Sequence, residues 1–221
     1  MLATPAYGGS VAVECAGAVS AALFNMAGRG VACDWRILPG LCYVDIARDR
    51  LAATFLESPC TDLVFVDDDV GFPADALWKL LRHDRDIVGG VYPKKQADTA
   101  WPAAILGTED GHPLVDPETG LIECVGLPTG FLRIRRRVLE TLATDERRYT
   151  TDDGDALWDL FPRDRFGGKK WGEDTRFCRI AREAGFRLWC EPDITFQHVG
   201  RKAWTGNYHD WLRQQPGGDL S

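Results

Sequence analysis

The chain is 221 residues long, enough for one large domain or two small halves that bury roughly 70 to 75% of the unfolded surface. Its 45% apolar and 27% charged residues, with ten Phe, eight Trp and five Tyr, exclude a disordered tail, a collagen-like fibre and a low-complexity linker. With 33 acidic against 26 basic side chains the formal charge is -7, which argues against diffuse polyanion binding and leaves any nucleic-acid contact to a local basic patch.

Seven scattered cysteines, none in a C-x-x-C pair, suggest neither a disulfide framework nor a zinc knuckle and point to a reducing cytosol. The most membrane-like stretch, Ser10 to Gly28, contains Glu14 and Asn25 and has no basic residue before it. It reads as a buried helix, with no export signal and no membrane partner.

In chain order the pattern predicts a strand over Met1 to Ala6, a helix over Val11 to Ala27, a strand over Val31 to Leu38 and a helix over Tyr43 to Glu57. Val44, Ala47, Leu51 and Phe55 share one face of that second helix. Leu63 to Val66 follows as a short apolar strand, Pro73 to Arg82 as a helix with Pro at its first turn, and Asp86 to Val91 as another buried strand. This alternation predicts an α/β chain whose first half is a mostly parallel, nucleotide-binding type of sheet.

After Tyr92 the alternation stops. Pro93 to Pro102 reads as a loop with Lys94 and Lys95, followed by short strands at Ala103 to Leu106 and Leu121 to Val125, then a strand at Phe131 to Arg135 entering a helix at Arg136 to Leu142. Thr144 to Lys170 is long, polar and irregular, anchored by Trp158 and Phe161, as expected of a lid or mobile segment. Gly172 to Gly185 returns to helix, Arg187 to Cys190 and Ile194 to His198 are strands, and a loose helix is expected beyond Trp204.

The strongest chemical signal is Asp67-Asp68-Asp69 at the end of the apolar strand Leu63 to Val66. Ligands bind at that edge of open α/β sheets, and adjacent like charges are costly unless a cation, protons or water relieves them. Mg²⁺ or Mn²⁺, which take oxygen ligands, is the economical explanation. The plainer alternative is a solvated turn in which one Asp caps the helix near Pro73.

A second signal is Trp171-Gly172-Glu173-Asp174, which opens the late helix. Asp174 is either a dipole-complementing acid or a general base beside an aromatic that could face a sugar. His198 lies on the inward face of its strand with Ile194 and Phe196, as a core residue or as a ligand at the strand end before Arg201 and Lys202. Among weaker features, Asp45 and Arg48 sit three apart as a surface pair, and Gly126 to Gly130 is a turn whose backbone can approach a ligand. Basic residues cluster at Arg133 to Arg137, Arg147 to Arg148 and Arg163 to Lys170, solvated charge by default, the last running into Trp171.

The order Thr4-Pro5-Ala6-Tyr7, Ala47-Arg48-Asp49, Phe65-Val66-Asp67-Asp68-Asp69, Gly126 to Gly130, Gly172-Glu173-Asp174 and His198 resembles the GT-A-fold nucleotide-sugar glycosyltransferases, particularly small stand-alone members of the family 2 type from bacteria and phages. The resemblance implies a Rossmann-like, mostly parallel sheet with helices on both faces and a smaller mixed acceptor-side sheet. It implies one catalytic domain over residues 1–202, nucleotide-binding over 1–100 and acceptor-binding over 101–202, with a tail at 203–221.

By that likeness Pro5, Tyr7, Arg48, Asp67, Asp68, Arg201 and Lys202 bind the nucleotide, and Asp69, Asp67 and His198 hold Mn²⁺ or Mg²⁺. Asp174 is the catalytic base, while Glu173, Trp171, Thr129, Gly130, Lys169 and Lys170 contact sugar or acceptor. A UDP-sugar is the implied donor, and the short chain implies single transfer with inversion rather than polymerisation. Phage-type relatives point to a hydroxymethylated pyrimidine in DNA as acceptor, with a glycan or lipid-linked saccharide as the alternative, and a non-catalytic nucleotide-sugar-binding module as the reading of another class. A haloacid dehalogenase type of phosphatase would want Thr or Val where this chain has Gly71, and a nucleotidyltransferase would want basic residues in Ala6 to Ser10, which has none.

Overall fold

In the strand Leu63 to Val66 every side chain is buried, but successive ones enter different cores. Leu63 and Phe65 join one apolar cluster, Val64 and Val66 another. A strand covered on both faces must be apolar throughout, and this one organises the molecule. The computed structural model describes residues 1–96, 100–200 and 203–215.

The chain runs through β1 (Leu2–Ala6), α1 (Val13–Gly28), β2 (Trp35–Pro39), α2 (Val44–Glu57), β3 (Asp62–Val66), β4 (Val70–Gly71), α3 (Ala76–Leu81) and β5 (Ile87–Gly89). It continues through β6 (Ala104–Ile105), β7 (Ile122–Gly126), β8 (Phe131–Arg135), α4 (Arg136–Leu142), β9 (Arg148–Thr150), β10 (Ala156–Trp158), β11 (Arg165–Phe166) and β12 (Lys169–Lys170). It closes with α5 (Glu173–Glu183), β13 (Leu188–Cys190), β14 (Thr195–Val199), β15 (Ala203–Asn207) and α6 (Tyr208–Arg213).

Eight strands form the main sheet in the order β2-β1-β3-β8-β5-β13-β7-β6. The parallel pairs are β1 with β2, β1 with β3, and β5 with β13. The antiparallel ones are β3 with β8, β5 with β8, β7 with β13, and β6 with β7. By direction the sheet is mostly parallel, since β7 and β8 alone run against the other six strands, but its pairing is mixed because β8, from the second half of the chain, inserts between β3 and β5 from the first. Of the smaller mixed sheet implied by the resemblance, the mixed directions are corrected, and β6 and β7 continue the main sheet. The small three-stranded sheet is instead β15-β14-β4, antiparallel.

Helices cover both faces, as expected. Leu51 and Phe55 of α2, Val138 and Leu139 of α4 and Phe177 and Ile180 of α5 fill one side; Cys15, Val19, Ala22, Leu77 and Leu80 of α1 and α3 fill the other. In the cluster Arg133 to Arg137, Arg137 is exposed as expected, but Arg133 and Arg136 are not solvated charge. Arg133 is 1% exposed and bonds Asp62 at 2.7 Å, and Arg136 donates to the carbonyls of Phe55, Leu56 and Cys60 at 3.0, 3.2 and 2.8 Å. Its guanidinium thereby satisfies carbonyls at the C-terminal end of α2, where a cation also suits the helix dipole.

The segment Thr144 to Lys170 is more ordered than its polarity predicts, carrying the hairpins β9–β10 and β11–β12. Asp49 of α2 holds it: Oδ1 accepts from the backbone N–H groups of Leu160 and Phe161 at 3.0 and 3.1 Å, and Oδ2 from the Tyr149 hydroxyl at 2.9 Å. Phe161 anchors it as expected, stacked on Phe177 at 4.6 Å. Beyond the expected elements, β4 and β15 appear, and the terminal helix is short.

Candidate functional site

The turn after β3 is built by the strands around it. Asp67 N–H donates to Gly130 O at 2.9 Å, Ala12 N–H to Asp68 O at 2.8 Å and Val199 N–H to Asp69 O at 2.8 Å, so β8, the entry to α1 and β14 all grip the three acidic residues. The register of β14 on β4, with His198 opposite Val70, brings His198 beside Asp69. Pro5, Tyr7, Arg48, Asp67, Asp68, Asp69, Tyr92, Glu173 and His198 all line one cleft of about 280 Å³. These residues are scattered from position 5 to position 198, and the fold gathers most of the nucleotide and metal candidates at one sheet edge.

Arg48 corrects an expectation: it does not form a surface pair with Asp45. It is 3% exposed, donates from Nη2 to Asp67 Oδ1 at 2.8 Å and lies 3.6 Å from Glu173 Oε1. Its Nε and Nη1 are buried with no hydrogen-bond partner among the described residues. Leaving such donors unfilled is costly, and a guanidinium with spare donors at a cleft wall fits an anionic ligand. Asp67 is held on both sides, since Oδ2 accepts from the Tyr92 hydroxyl at 3.0 Å.

Asp69 and His198 are the pair with the geometry for a cation. The His198 Nδ1 donates to Pro93 O at 2.8 Å, which fixes the proton there, and Nε2 lies 3.4 Å from Asp69 Oδ1. In the neutral ring that Nε2 carries the lone pair a metal takes, oriented by the bond on the far nitrogen. Lys95 also contacts Asp69 Oδ2. Burial opposes the Asp69 charge, but Lys95, and His198 whenever its Nε2 also carries a proton, outweigh it and hold the carboxyl below the usual carboxylate range. Burial, with repulsion from Asp69 and Asp67, pushes Asp68 up to about 6. The neighbouring Cys15 thiol is pushed up to about 12, chiefly by burial, which leaves it unreactive.

Among the described residues no group of three His, Cys, Asp or Glu side chains has ligating geometry. Asp67, expected at ribose or metal, turns its carboxylate to Arg48 and Tyr92, which leaves Asp69 and His198 as the candidate donors for an ion. That donor set suits Mg²⁺ or Mn²⁺, which are commonly bound by one or two protein ligands with substrate phosphates and water completing the shell. The residues fit the ion.

Gly130 sits against this arrangement. A Cβ there would lie 2.1 Å from Asp67 Oδ2 and 2.2 Å from the Tyr92 hydroxyl, so only glycine lets β8 pass beneath the carboxylate. Gly130 therefore supports Asp67, and Thr129 beside it is buried; neither lines the groove described next.

A larger groove of about 950 Å³ adjoins the first turn of α5. Asp174, Trp171, Lys94, Trp101, Gly126 and Leu127 line it, together with Arg176, Arg179 and Arg182. Adjacent residues on a helix point about 100° apart, so Glu173 faces the acidic cleft while Asp174 faces the groove. Asp174 Oδ1 accepts from Thr175 N–H at 2.6 Å. Lys169 and Lys170 stand exposed on the β11–β12 hairpin, outside the groove lining. Arg201 and Lys202 lie outside the described residues.

Sequence reasoning missed Tyr92 as a member of the cleft, Lys95 as a partner of Asp69, and Trp101, Arg176, Arg179 and Arg182 as walls of the groove. The three arginines recur at a spacing of three on a recognised helix, which was a readable signal; the loop holding Lys95 offered none.

No protein-family model matches the chain, and no curated protein matches it. Among solved structures it is similar to the crystal structure of A197 from STIV, with 18% identity over 90% of this chain and 85% of that one and a TM-score of 0.56. At that identity the likeness shows the fold alone, an α/β architecture on a large mixed sheet. Among the described residues no helix is long and apolar enough to cross a membrane.

Proposed function

We propose that the chain is a metal-dependent glycosyltransferase of the GT-A type that moves a sugar from a nucleotide diphosphate sugar, with UDP the expected nucleotide, to an acceptor hydroxyl. The observation that carries this reading is the shared wall at the start of α5: Glu173 borders the cleft of Arg48, Asp69 and His198, and Asp174 borders the adjoining groove. Donor and acceptor then meet across one helical turn.

In this reading Tyr7, 69% exposed at the cleft edge, offers a ring to the base, and Arg48 turns its unfilled donors to the diphosphate. Asp69 and His198 Nε2 would hold the divalent ion, which when bound would supply positive charge against the leaving diphosphate. Asp174 takes the proton of the acceptor hydroxyl as its oxygen forms a bond to C1. The C1–O bond to the diphosphate breaks, its electron pair leaves with the phosphate, and the configuration at C1 inverts. Tyr92, holding Asp67 from the side opposite Arg48, keeps the guanidinium aimed.

The test is Mn²⁺ uptake followed by electron paramagnetic resonance with and without UDP, then nucleotide release from a panel of nucleotide sugars with candidate acceptors. Uptake that UDP strengthens, lost by at least about tenfold in Asp69→Asn, is the expected result. No uptake in the presence of UDP overturns the reading. Donor binding without release on any acceptor assigns the non-catalytic module instead.

A further inference from the structure

The groove beside Asp174 has a charge unlike that of the whole chain. Lys94, Arg176, Arg179 and Arg182 line it against the carboxylates Asp174 and Glu183, in a protein of net charge -7. Arg176 is largely buried and held by both carboxylate oxygens of Asp164, whereas Arg179 and its partner Glu183 are 41% and 57% exposed. The Arg179–Glu183 pair is open to water and therefore weak, and a phosphate competes with it readily. Arg182 is exposed near the C-terminal end of the same helix.

Two further features specify the ligand. Trp101 and Trp171 place indole rings on the groove, and the Trp101 Nε1 is buried with no partner among the described residues. Trp101 is fixed from behind by the rings of Tyr208 and Trp211, at 5.1 and 6.0 Å, and by the bare backbone of Gly206. A rigid aromatic edge with a spare donor suits a planar polar ring. The arginines, three residues apart on α5, span about 9 Å of helix, the axial rise of two to three nucleotides in a stacked strand.

We propose that this groove takes a single-stranded polynucleotide, its phosphates along Arg176, Arg179 and Arg182 and a base against the indole rings, so that a hydroxyl on the held nucleotide reaches Asp174. The proposal rests on the transferase reading for the role of Asp174, and names its acceptor class. It replaces Lys169 and Lys170 with the α5 arginines as the phosphate contacts. A lipid-linked saccharide fits less well: among the described residues the large exposed apolar side chains, Tyr7, Val13, Phe24, Ile37, Tyr43 and Leu114, lie off the groove lining.

The experiment is fluorescence anisotropy of a labelled oligothymidylate of about 12 nucleotides, without donor or metal, across about 50 to 200 mM salt. The expected result is salt-sensitive binding to wild type that weakens at least about tenfold in Arg179→Ala/Arg182→Ala, with a salt slope shallower by about 1.4 for the two lost phosphate contacts. Arg182→Glu, an exposed charge reversal that leaves the Arg179 pair in place, serves as a second variant, and circular dichroism verifies that both fold. Absence of binding at the lowest salt, or binding that neither variant changes, overturns the proposal. Retention on phosphatidylglycerol vesicles in place of oligonucleotide binding also overturns it, and assigns the groove to lipid phosphate. Because neither UDP nor Mn²⁺ is present, this result and the donor-binding result fail independently.

Discussion

Replacing Arg48 with Met tests whether the buried guanidinium serves the fold alone or also a ligand. The variant loses the 2.8 Å bond to Asp67, the attraction to Glu173 at 3.6 Å and the contact over the Phe65 ring at 5.1 Å. A charge-assisted bond contributes about 1.5–3 kcal/mol and an exposed-to-buried cation–π contact about 0.5–2. Against this, two donors buried without partners are removed, returning about 1–3 kcal/mol. The expected net loss is about 1–3 kcal/mol, or roughly 2–10 °C in Tm at this chain length. A second effect separates the two roles. Wild type with UDP and Mn²⁺ at about a hundred times Kd gains about 2.7 kcal/mol, and the variant loses most of that shift because the donors aimed at the diphosphate are gone. Thermal melts followed by circular dichroism, with and without UDP and Mn²⁺, read both quantities. A variant that keeps the full ligand-induced shift refutes the anion-binding role of Arg48.

Gly130→Ala drives a methyl into the Asp67 carboxylate and the Tyr92 hydroxyl, and should cost about 1–3 kcal/mol while weakening UDP binding, measurable by urea unfolding and calorimetry. Asp174→Asn should keep UDP and Mn²⁺ binding and lose at least about a hundredfold in transfer, read as product formation; normal turnover would remove its role as base. Burial pushes Asp49 up to about 7, despite the three donors on it. Its folded pKa thus exceeds the unfolded value of about 3.9, so the native state binds the extra proton between these pH values. Stability from this residue is intact below about pH 4 and declines until about pH 7. Asp49→Asn, compared with wild type in urea at pH 5 and pH 8, should flatten that decline; an unchanged difference between the two pH values argues against it.

Much of the frame was readable because burial writes a clear pattern. The run Leu63 to Val66 and the helix faces of α2 and α5 are fixed by which side chains must leave water, and the strand Phe131–Arg135 and helix Arg136–Leu142 were located from such runs. What local pattern does not encode is partner choice between strands. Nothing in Phe131 to Arg135 says that it lies antiparallel between β3 and β5, so the mixed pairing at the centre of the sheet is not legible in the sequence. Charge is illegible for the same reason: Arg48 and Arg133 look like surface residues until Asp67 and Asp62 are known to lie beside them. For the site, Asp69 and His198 were readable as residue types, whereas Tyr92 and Lys95 joined through loops whose direction only the fold supplies.

The placement of β8 bears on how a nascent chain matures. When the first hundred residues have left the ribosome, β3 already has β1 beside it, but its other edge awaits residues 131–135, and β5 waits for the same strand. Until then Leu63 to Val66 present open backbone groups along an apolar ribbon, a ready template for association with other chains. Closure of the sheet is thus a long-range event, slow relative to helix formation. A fragment that stops near residue 100 should therefore precipitate rather than fold into a nucleotide-binding half.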